Sequence, residues 1–66
     1  MEVSELLIQI DTRENIILFS MNDKDVIYVG NNQHIDIDLF KFSIVHNIFI
    51  EQKDGNSYIH IDMWEG

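Results

Sequence analysis

The sequence predicts an all-β domain, a small antiparallel sandwich or partly open barrel of about six strands. Apolar and polar side chains alternate with a period of two from residue 35 to residue 50, which is the strand period. Polar turn residues recur at short spacing, and Asp54-Gly55 lies between two alternating segments, which strongly indicates a hairpin. Short strands separated by frequent turns are typical of sandwiches and barrels.

The first half of the chain contains three apolar segments separated by polar turns. Leu6–Ile10 is predicted to be a strand, with a helix over Glu2–Ile10 as the alternative. Ile16–Met21 is β-branched and aromatic, and a polar turn separates it from Val26–Val29, so the two segments form a predicted hairpin. Gly30 and the two asparagines after it tolerate the positive φ of a tight loop.

The second half carries the longest alternation, and its parity changes between residues 39 and 40. We therefore predict a strand at His34–Leu39, a bend or one short helical turn near 38–44, and a strand at Val45–Glu51. The Asp54-Gly55 turn then leads into a last strand at Ser57–Met63. A helix over Asp38–His46 is the alternative, although a period of 3.6 fits the apolar residues less well.

Length and composition limit the function classes. The 66 residues form a single domain, 1–66, and so short a chain buries only roughly 60% of its unfolded surface, so a partner or a homodimer could complete the core. With 45% hydrophobic residues it is not a disordered acidic tail. It lacks a long apolar run and a basic leader, so we expect a cytoplasmic protein without membrane insertion.

The charge balance indicates the class of partner. Twelve acidic residues against four basic ones give a formal net charge of −8. Such a chain repels phosphate backbones and anionic membranes, so we expect a protein partner with a basic surface and no direct binding of nucleic acid. There is no cysteine, which excludes thiolate metal sites and a cysteine nucleophile. We expect no cofactor.

Five short elements occur in a recognisable order: Val29-Gly30, Asp36–Leu39, Ser43 with His46 three residues later, Asp54-Gly55 and Tyr58–Asp62. In this order they resemble the forkhead-associated (FHA) domain, a β-sandwich family that binds phosphothreonine peptides. The resemblance covers about residues 6–62. It implies that Ser43 takes the phosphate-contacting position and His46 the loop-bracing one, clustered with Gly30 at one end of the sandwich.

The chain departs from the FHA pattern where phosphate would bind. Asn31 stands where an Arg follows the Gly, Ile44 stands where an Arg follows the Ser, and the Asn-Gly-Thr loop is missing. Without Arg the charge-assisted bonds that make phosphate recognition tight are absent. The resemblance therefore implies a reduced module that binds protein without phosphate, as FHA-like domains of bacterial secretion ATPases do.

Two groups of residues have side chains that occur in catalytic or metal sites. Ser43 and His46 could be a nucleophile and its base, but the sequence places no carboxylate to orient the His, and no oxyanion loop is visible. His34, Asp36 and Asp38 could contact a metal, but they have neither zinc spacing nor a calcium loop. We therefore predict no metal site and no enzymatic activity.

A second function remains open: a small acidic inhibitor of the phage type that mimics nucleic acid and blocks a host nucleic-acid-binding or defence protein. On a strand, Asp36 and Asp38 lie about 6.6 Å apart, and Asp62, Glu51 and Asp54 could extend the row. Such a row imitates a phosphate backbone, which carries a charge about every 3.4 Å per strand. This hypothesis requires one continuous negative face.

Trp64 is either a plug that closes the small core or an exposed anchor for a partner, since Trp is frequent at binding hot spots. The predicted partner-binding residues are Asn31, Asn32, Asp36, Asp38, Ser43, His46, Asp62 and Trp64.

Overall fold

A computed structural model describes residues 1–65 and shows one mixed, four-stranded open sheet. The elements are α1 (Val3–Gln9), β1 (Asn15–Ser20), β2 (Asp25–Asn31), two 3-10 turns (Asn32–His34 and Ile37–Phe40), β3 (Ile44–Lys53) and β4 (Asn56–Trp64). The strand order is β2-β1-β4-β3, in which β1 and β4 are parallel and the two outer pairs are antiparallel. The prediction of a six-stranded all-β sandwich or barrel is therefore wrong.

The first apolar segment forms a helix and not the predicted strand. Val3, Leu6, Leu7 and Ile10 recur at the spacing of one helix face. Val3 and Leu7 are buried, whereas Ile8 on the other side is 70% exposed. The alternative of a helix over this segment is correct, because burying one helical face outweighs a short alternation of period two.

Both predicted hairpins are confirmed. β1 pairs with β2, and β3 pairs with β4 across a two-residue turn at Asp54-Gly55. Asp54 has φ 52° and Gly55 has φ 81°, which is the left-handed pair of a type I′ turn. The turn closes on Lys53 opposite Asn56 and so sets the register of the whole hairpin.

The segment His34–Leu39 is not a strand, because it belongs to the connection that holds the two 3-10 turns. The side chain of Asn31 caps the first turn by accepting an amide hydrogen bond. Ile35 and Ile37 pack against the core from this irregular connection, and Leu39 is 73% exposed. The alternation thus reflects burial and not a strand. The short helical turn predicted near 38–44 corresponds to the second 3-10 turn, which begins at residue 37.

The helix and the 3-10 turns cover one face of the sheet. The fully buried cluster between these elements and the sheet contains Val3, Leu7, Ile16, Leu18, Ile61 and Met63. The smallest extent of the Cα trace is 16 Å, which suits two layers packed about 10 Å apart. No helix or strand of residues 1–65 packs on the opposite face, which we call the open face.

Candidate functional site

Side chains from all four strands form rows across the open face. Ile17 stands opposite Val29 on one side and His60 on the other, and His60 stands opposite Phe49. This row, which we call the central row, is apolar except for His60. The neighbouring row consists of Val26, Phe19, Asp62 and Asn47.

His60 is the polar centre of the open face and is only 9% exposed. Its ring stacks on Phe49 with centroids 4.3 Å apart, and the ring of Phe19 lies 6.1 Å away. Its Nε2 lies 2.9 Å from Oδ1 of Asp62, and its Nδ1 lies 3.6 Å from Oε2 of Glu51. The imidazole is thus held between two aromatic rings and two carboxylates.

The two carboxylates have different relations to the imidazole. The contact with Asp62 is a hydrogen bond that orients the ring, whereas 3.6 Å to Glu51 is too long for one. Nδ1 has no hydrogen-bond partner among the described residues. The carboxylates approach opposite ring nitrogens, so the three side chains do not converge on one cation, and residues 1–65 contain no group of three metal ligands.

The open face exposes part of its apolar surface to solvent at the two edges of the sheet. Val26 is 43% exposed, Val29 45% and Phe49 40%. Glu51 and Asp62 place carboxylates beside this apolar surface. The two valines and Phe49 stand at opposite edges of the sheet, on either side of Ile17 and His60, which are 2% and 9% exposed.

Gly30, Ser43 and His46 do not cluster as the FHA resemblance implies. Gly30 lies on β2, at one edge of the sheet. It belongs to the same row of paired residues as Ile50 of β3, which is near the hairpin turn. Ser43 and His46 lie at the beginning of β3, at the other edge and the other end of the strands.

Ser43 and His46 have separate structural contacts. Ser43 is buried, its carbonyl accepts the amide of Val3 at 2.8 Å, and its own amide donates to Phe40. Nδ1 of His46 accepts Nε1 of Trp64 at 3.3 Å. The hydrogen bonds of the described residues therefore do not join Ser43 to His46 as a nucleophile and base.

Trp64 stands beside the core and does not close it. It is 44% exposed, and its ring meets His46 edge to face with centroids 5.9 Å apart. Of the two alternatives for Trp64, the core plug is wrong, because the side chain belongs to the face of β4 that carries His60. Its role as a partner anchor stays a prediction.

Asn31 and Asn32 both have internal partners. Asn31 donates from Nδ2 to the carbonyl of Arg13 at 2.9 Å. Asn32 is 3% exposed and donates from Nδ2 to the carbonyls of Leu7 and Ile10, both at 3.1 Å. Asn32 therefore ties the end of α1 to the first 3-10 turn and offers little surface to a partner.

The predicted acidic row does not form. Asp36 and Asp38 lie at the second 3-10 turn, on the helix side, so the strand spacing expected between them does not apply. Asp38 lies 3.7 Å from Nζ of Lys41. Glu51 and Asp62 lie on the opposite face beside His60. The continuous negative face that a nucleic-acid mimic requires is thus divided between two faces.

The sequence contains the signal for the His60 cluster, although the predicted site residues include only Asp62 from it. Tyr58, His60 and Asp62 fall on one face of the last predicted strand. Phe49 and Glu51 join them because the two-residue turn fixes which residues of β3 oppose β4. Combining the turn type with strand parity would have found the cluster.

A shallow cleft of about 220 Å³ lies on the other side of the molecule. It is lined by Leu39, Phe40, Phe42, Ser43, Met63 and Glu65. Leu39 and Phe42 are 73% and 79% exposed. The cleft brings no cluster of titratable side chains together and gives no reason to assign chemistry to it.

Comparison of the chain with protein-family models, with curated proteins and with solved structures finds no match. Among the described residues, no helix is long and apolar enough to cross a membrane. Function is therefore inferred from the geometry of the chain.

Proposed function

We propose that this chain is a non-enzymatic protein-binding domain that contacts a partner with the open face of its sheet. The central row carries the proposal: Val29, Ile17, His60 and Phe49 cross all four strands, and no helix or strand of residues 1–65 packs over them. Val29 and Phe49, at the two ends of the row, are 45% and 40% exposed, whereas neighbouring side chains bury Ile17 and His60. Binding by this face requires neither a phosphate loop nor the FHA sandwich.

The composition of the open face supports a protein as the ligand. Protein interfaces have an apolar core with aromatic residues and a polar rim. Phe19 and Phe49 supply aromatic surface, and Val26 and Val29 supply aliphatic surface at the edge of the sheet. Their burial against a partner would stabilise a complex by about 25 cal/mol per Å² of apolar surface removed from water.

The charge supports a basic partner. The chain has a formal net charge of −8, and Glu51 and Asp62 bring two carboxylates to the open face. Complementary charge speeds encounter and selects against acidic proteins. Exposed charges are screened by salt, so the complex should weaken as ionic strength rises.

The proposal is tested with two matched variants, Val29→Lys and Ile8→Lys. Both add one positive charge at an exposed aliphatic residue, 45% exposed on the open face and 70% exposed on α1, respectively. Proteins captured from a lysate by the wild type are identified, purified and titrated against all three chains at low and high salt. We expect a basic protein, unchanged affinity for Ile8→Lys, and affinity for Val29→Lys reduced at least about tenfold, equivalent to roughly 1.4 kcal/mol.

Equal affinity of Val29→Lys and the wild type for the purified partner would contradict the open face as the binding surface. Capture of an acidic partner, or binding that does not respond to salt, would contradict the role assigned to charge. Circular dichroism of both variants serves as the folding control.

A further inference from the structure

The outer edge of β3 is unpaired over most of its length. β3 is an edge strand, and only its beginning is covered, where Met1 accepts the amide of Val45 at 2.9 Å and Val3 donates to Ser43. From residue 46 to the turn at residue 54, no other strand of residues 1–65 pairs with this edge. Unpaired edges of this kind are templates for another strand.

The turn geometry shows which backbone groups point outward. A two-residue type I′ turn closes on a hydrogen-bonded pair, here Lys53 and Asn56, and hydrogen-bonded pairs alternate along an antiparallel ladder. The alternation starts at Lys53, whose N–H and C=O groups point toward β4. The groups of Gln52, Ile50 and Ile48 therefore point away from β4.

The free edge also carries three consecutive exposed apolar residues. Ile48 is 45% exposed, Phe49 40% and Ile50 63%. Proteins usually protect an edge with Lys, Pro or a bulge, but the chain has no Pro, and the only bulge in β3 lies between Val45 and Asn47. The segment from residue 47 to residue 52 is therefore regular, apolar at its centre and open.

We propose that this edge pairs with the same edge of a second copy, antiparallel about a twofold axis at Phe49. The free segment supports this register because residues 46–52 lie symmetrically about residue 49, between the segment covered by Met1 and the hairpin turn. Ile48 then stands opposite Ile50 of the second copy, and both have outward backbone groups. The two Phe49 residues face each other as a non-hydrogen-bonded pair with Cα atoms about 4.5 Å apart.

The paired segments are compatible in charge. Glu51 is the only acidic residue between positions 46 and 52, and it faces Asn47 of the second copy. The two Glu51 residues are separated by four residues along the paired strands, or about 13 Å. This distance is more than the Debye length of about 10 Å at 0.1 M salt. The strands therefore meet without opposed like charges, although each copy carries a formal net charge of −8.

A twofold β3–β3 contact closes, whereas a head-to-tail contact between β3 and β2 does not. β2 has a register shift opposite Leu18 and Phe19, and joining β2 of one copy to β3 of the next would be head-to-tail and open-ended. Seven paired residues span about 24 Å, which is a small interface by the standards of stable dimers. We therefore expect a weak, concentration-dependent dimer with a continuous eight-stranded sheet.

Sedimentation over a wide range of concentrations tests the dimer with matched variants. Ile50→Lys places a charge at the free edge, and Ile8→Lys places the same charge on α1. Wild type and Ile8→Lys should pass from monomer to dimer, and Ile50→Lys should remain monomeric. Raising salt from about 0.05 M to 0.5 M should strengthen the dimer, because it screens repulsion between the copies. A monomeric wild type, a dimeric Ile50→Lys or growth beyond the dimer would each overturn the proposal.

Crosslinking tests the register, because the chain has no cysteine of its own. Two Phe49→Cys copies place their Cα atoms within disulfide range, whereas two Asn47→Cys copies stand about 13 Å apart. Mild oxidation should crosslink Phe49→Cys much faster than Asn47→Cys. Equal rates, or faster crosslinking at residue 47, would exclude the Phe49 axis.

The proposed dimer and the proposed function can be tested independently, because they depend on different residues. The Ile50 side chain is on the helix side of the sheet, opposite Ile59, whereas Val29 belongs to the open face at the far edge. Val29→Lys should therefore remain dimeric, and Ile50→Lys should retain the basic partner. A monomeric wild type that binds the partner would remove the dimer and leave the proposed function intact.

Discussion

At the scale of single residues, Asn32 shows how a buried amide can hold two elements together. Its Nδ2 donates to Leu7 and Ile10, where α1 ends. Its backbone amide donates to the carbonyl of Glu14 at 2.9 Å. The last carbonyls of a helix have no partner within the helix, so Asn32 satisfies groups that would otherwise be buried unpaired.

We expect Asn32→Ala to lower the free energy of unfolding by about 1–3 kcal/mol, because it leaves buried carbonyls without a donor. Asn32→Asp should destabilise more, since it turns a carboxylate toward the same carbonyls. Urea denaturation measures both changes. Gln9→Ala is the control, because it removes an amide from the exposed side of the same helix. Its free energy of unfolding should stay within about 0.5 kcal/mol of the wild-type value. A loss equal to that of Asn32→Ala would contradict the role of the buried amide.

Asp11 and Arg13 form a local ion pair in the loop before β1. Nε and Nη2 of Arg13 lie 3.2 and 3.1 Å from the Asp11 carboxylate. The side-chain bond to Arg13, with its backbone amide, holds the pKa of Asp11 below its usual value. Any stabilisation from the pair is thus present above the unfolded-state pKa and is lost as pH falls through the folded-state pKa.

At the scale of elements, Gly30 and Tyr28 explain how β2 ends. A Cβ built on Gly30 would lie 2.9 Å from the hydroxyl oxygen and 3.2 Å from Cζ of Tyr28. That hydroxyl donates to the carbonyl of Asn31 at 2.6 Å. The Tyr28 ring therefore packs against Gly30 and ties down the end of the strand, and Gly30 also has a φ of 159°, which L side chains rarely adopt.

Gly30→Ala should destabilise the domain by about 1–3 kcal/mol, because L side chains rarely adopt its φ of 159° and because the Tyr28 ring has to move from its packed position. The cost should be smaller in a Tyr28→Phe background, where the 2.9 Å contact is gone. A double-mutant cycle by chemical denaturation measures the coupling. Gly55→Ala is the control, since its Cβ would meet nothing within 4 Å and its cost should be the same in both backgrounds. An equal cost of Gly30→Ala in both backgrounds would refute the contact argument.

At the scale of the whole molecule, the fold depends on a very small core. The helix and the 3-10 turns cover only one face of the sheet, and the cluster between α1 and the sheet includes Leu18, which is 0% exposed. Domains gain roughly 0.05–0.15 kcal/mol of stability per residue, or about 3–10 kcal/mol for a chain of this length. One buried side chain is therefore a large part of the total.

We expect Leu18→Ala to lower the free energy of unfolding by about 2–5 kcal/mol and to leave a measurable fraction of the chain unfolded. Leu39→Ala removes the same atoms from a side chain that is 73% exposed and should change stability by less than about 0.5 kcal/mol. Thermal melts followed by far-UV circular dichroism compare the two. Similar losses from both variants would mean that the core is not where the fold places it.

Local signals predicted the parts of the fold that depend on neighbouring residues. The two hairpins follow from turn residues and β-branched segments, and Asp54-Gly55 dictates a turn that the structure contains. The parity of β4, with Ile59, Ile61 and Met63 on one face, is also correct. The His60 face was visible in the same parity, but its partners on β3 were not assigned.

The sequence by itself determined that strands pair as two local hairpins, that one face of β4 is apolar and that the surface is acidic. Only the tertiary structure decided that the first segment is a helix, that residues 34–39 are an irregular connection, and that β1 lies parallel to β4. The physical reason is burial between distant segments. Val3, Leu7 and Ile35 adopt the conformations that bring them onto the sheet. The parallel strands β1 and β4 are not joined by a short turn, so no local sequence signal predicts that they pair.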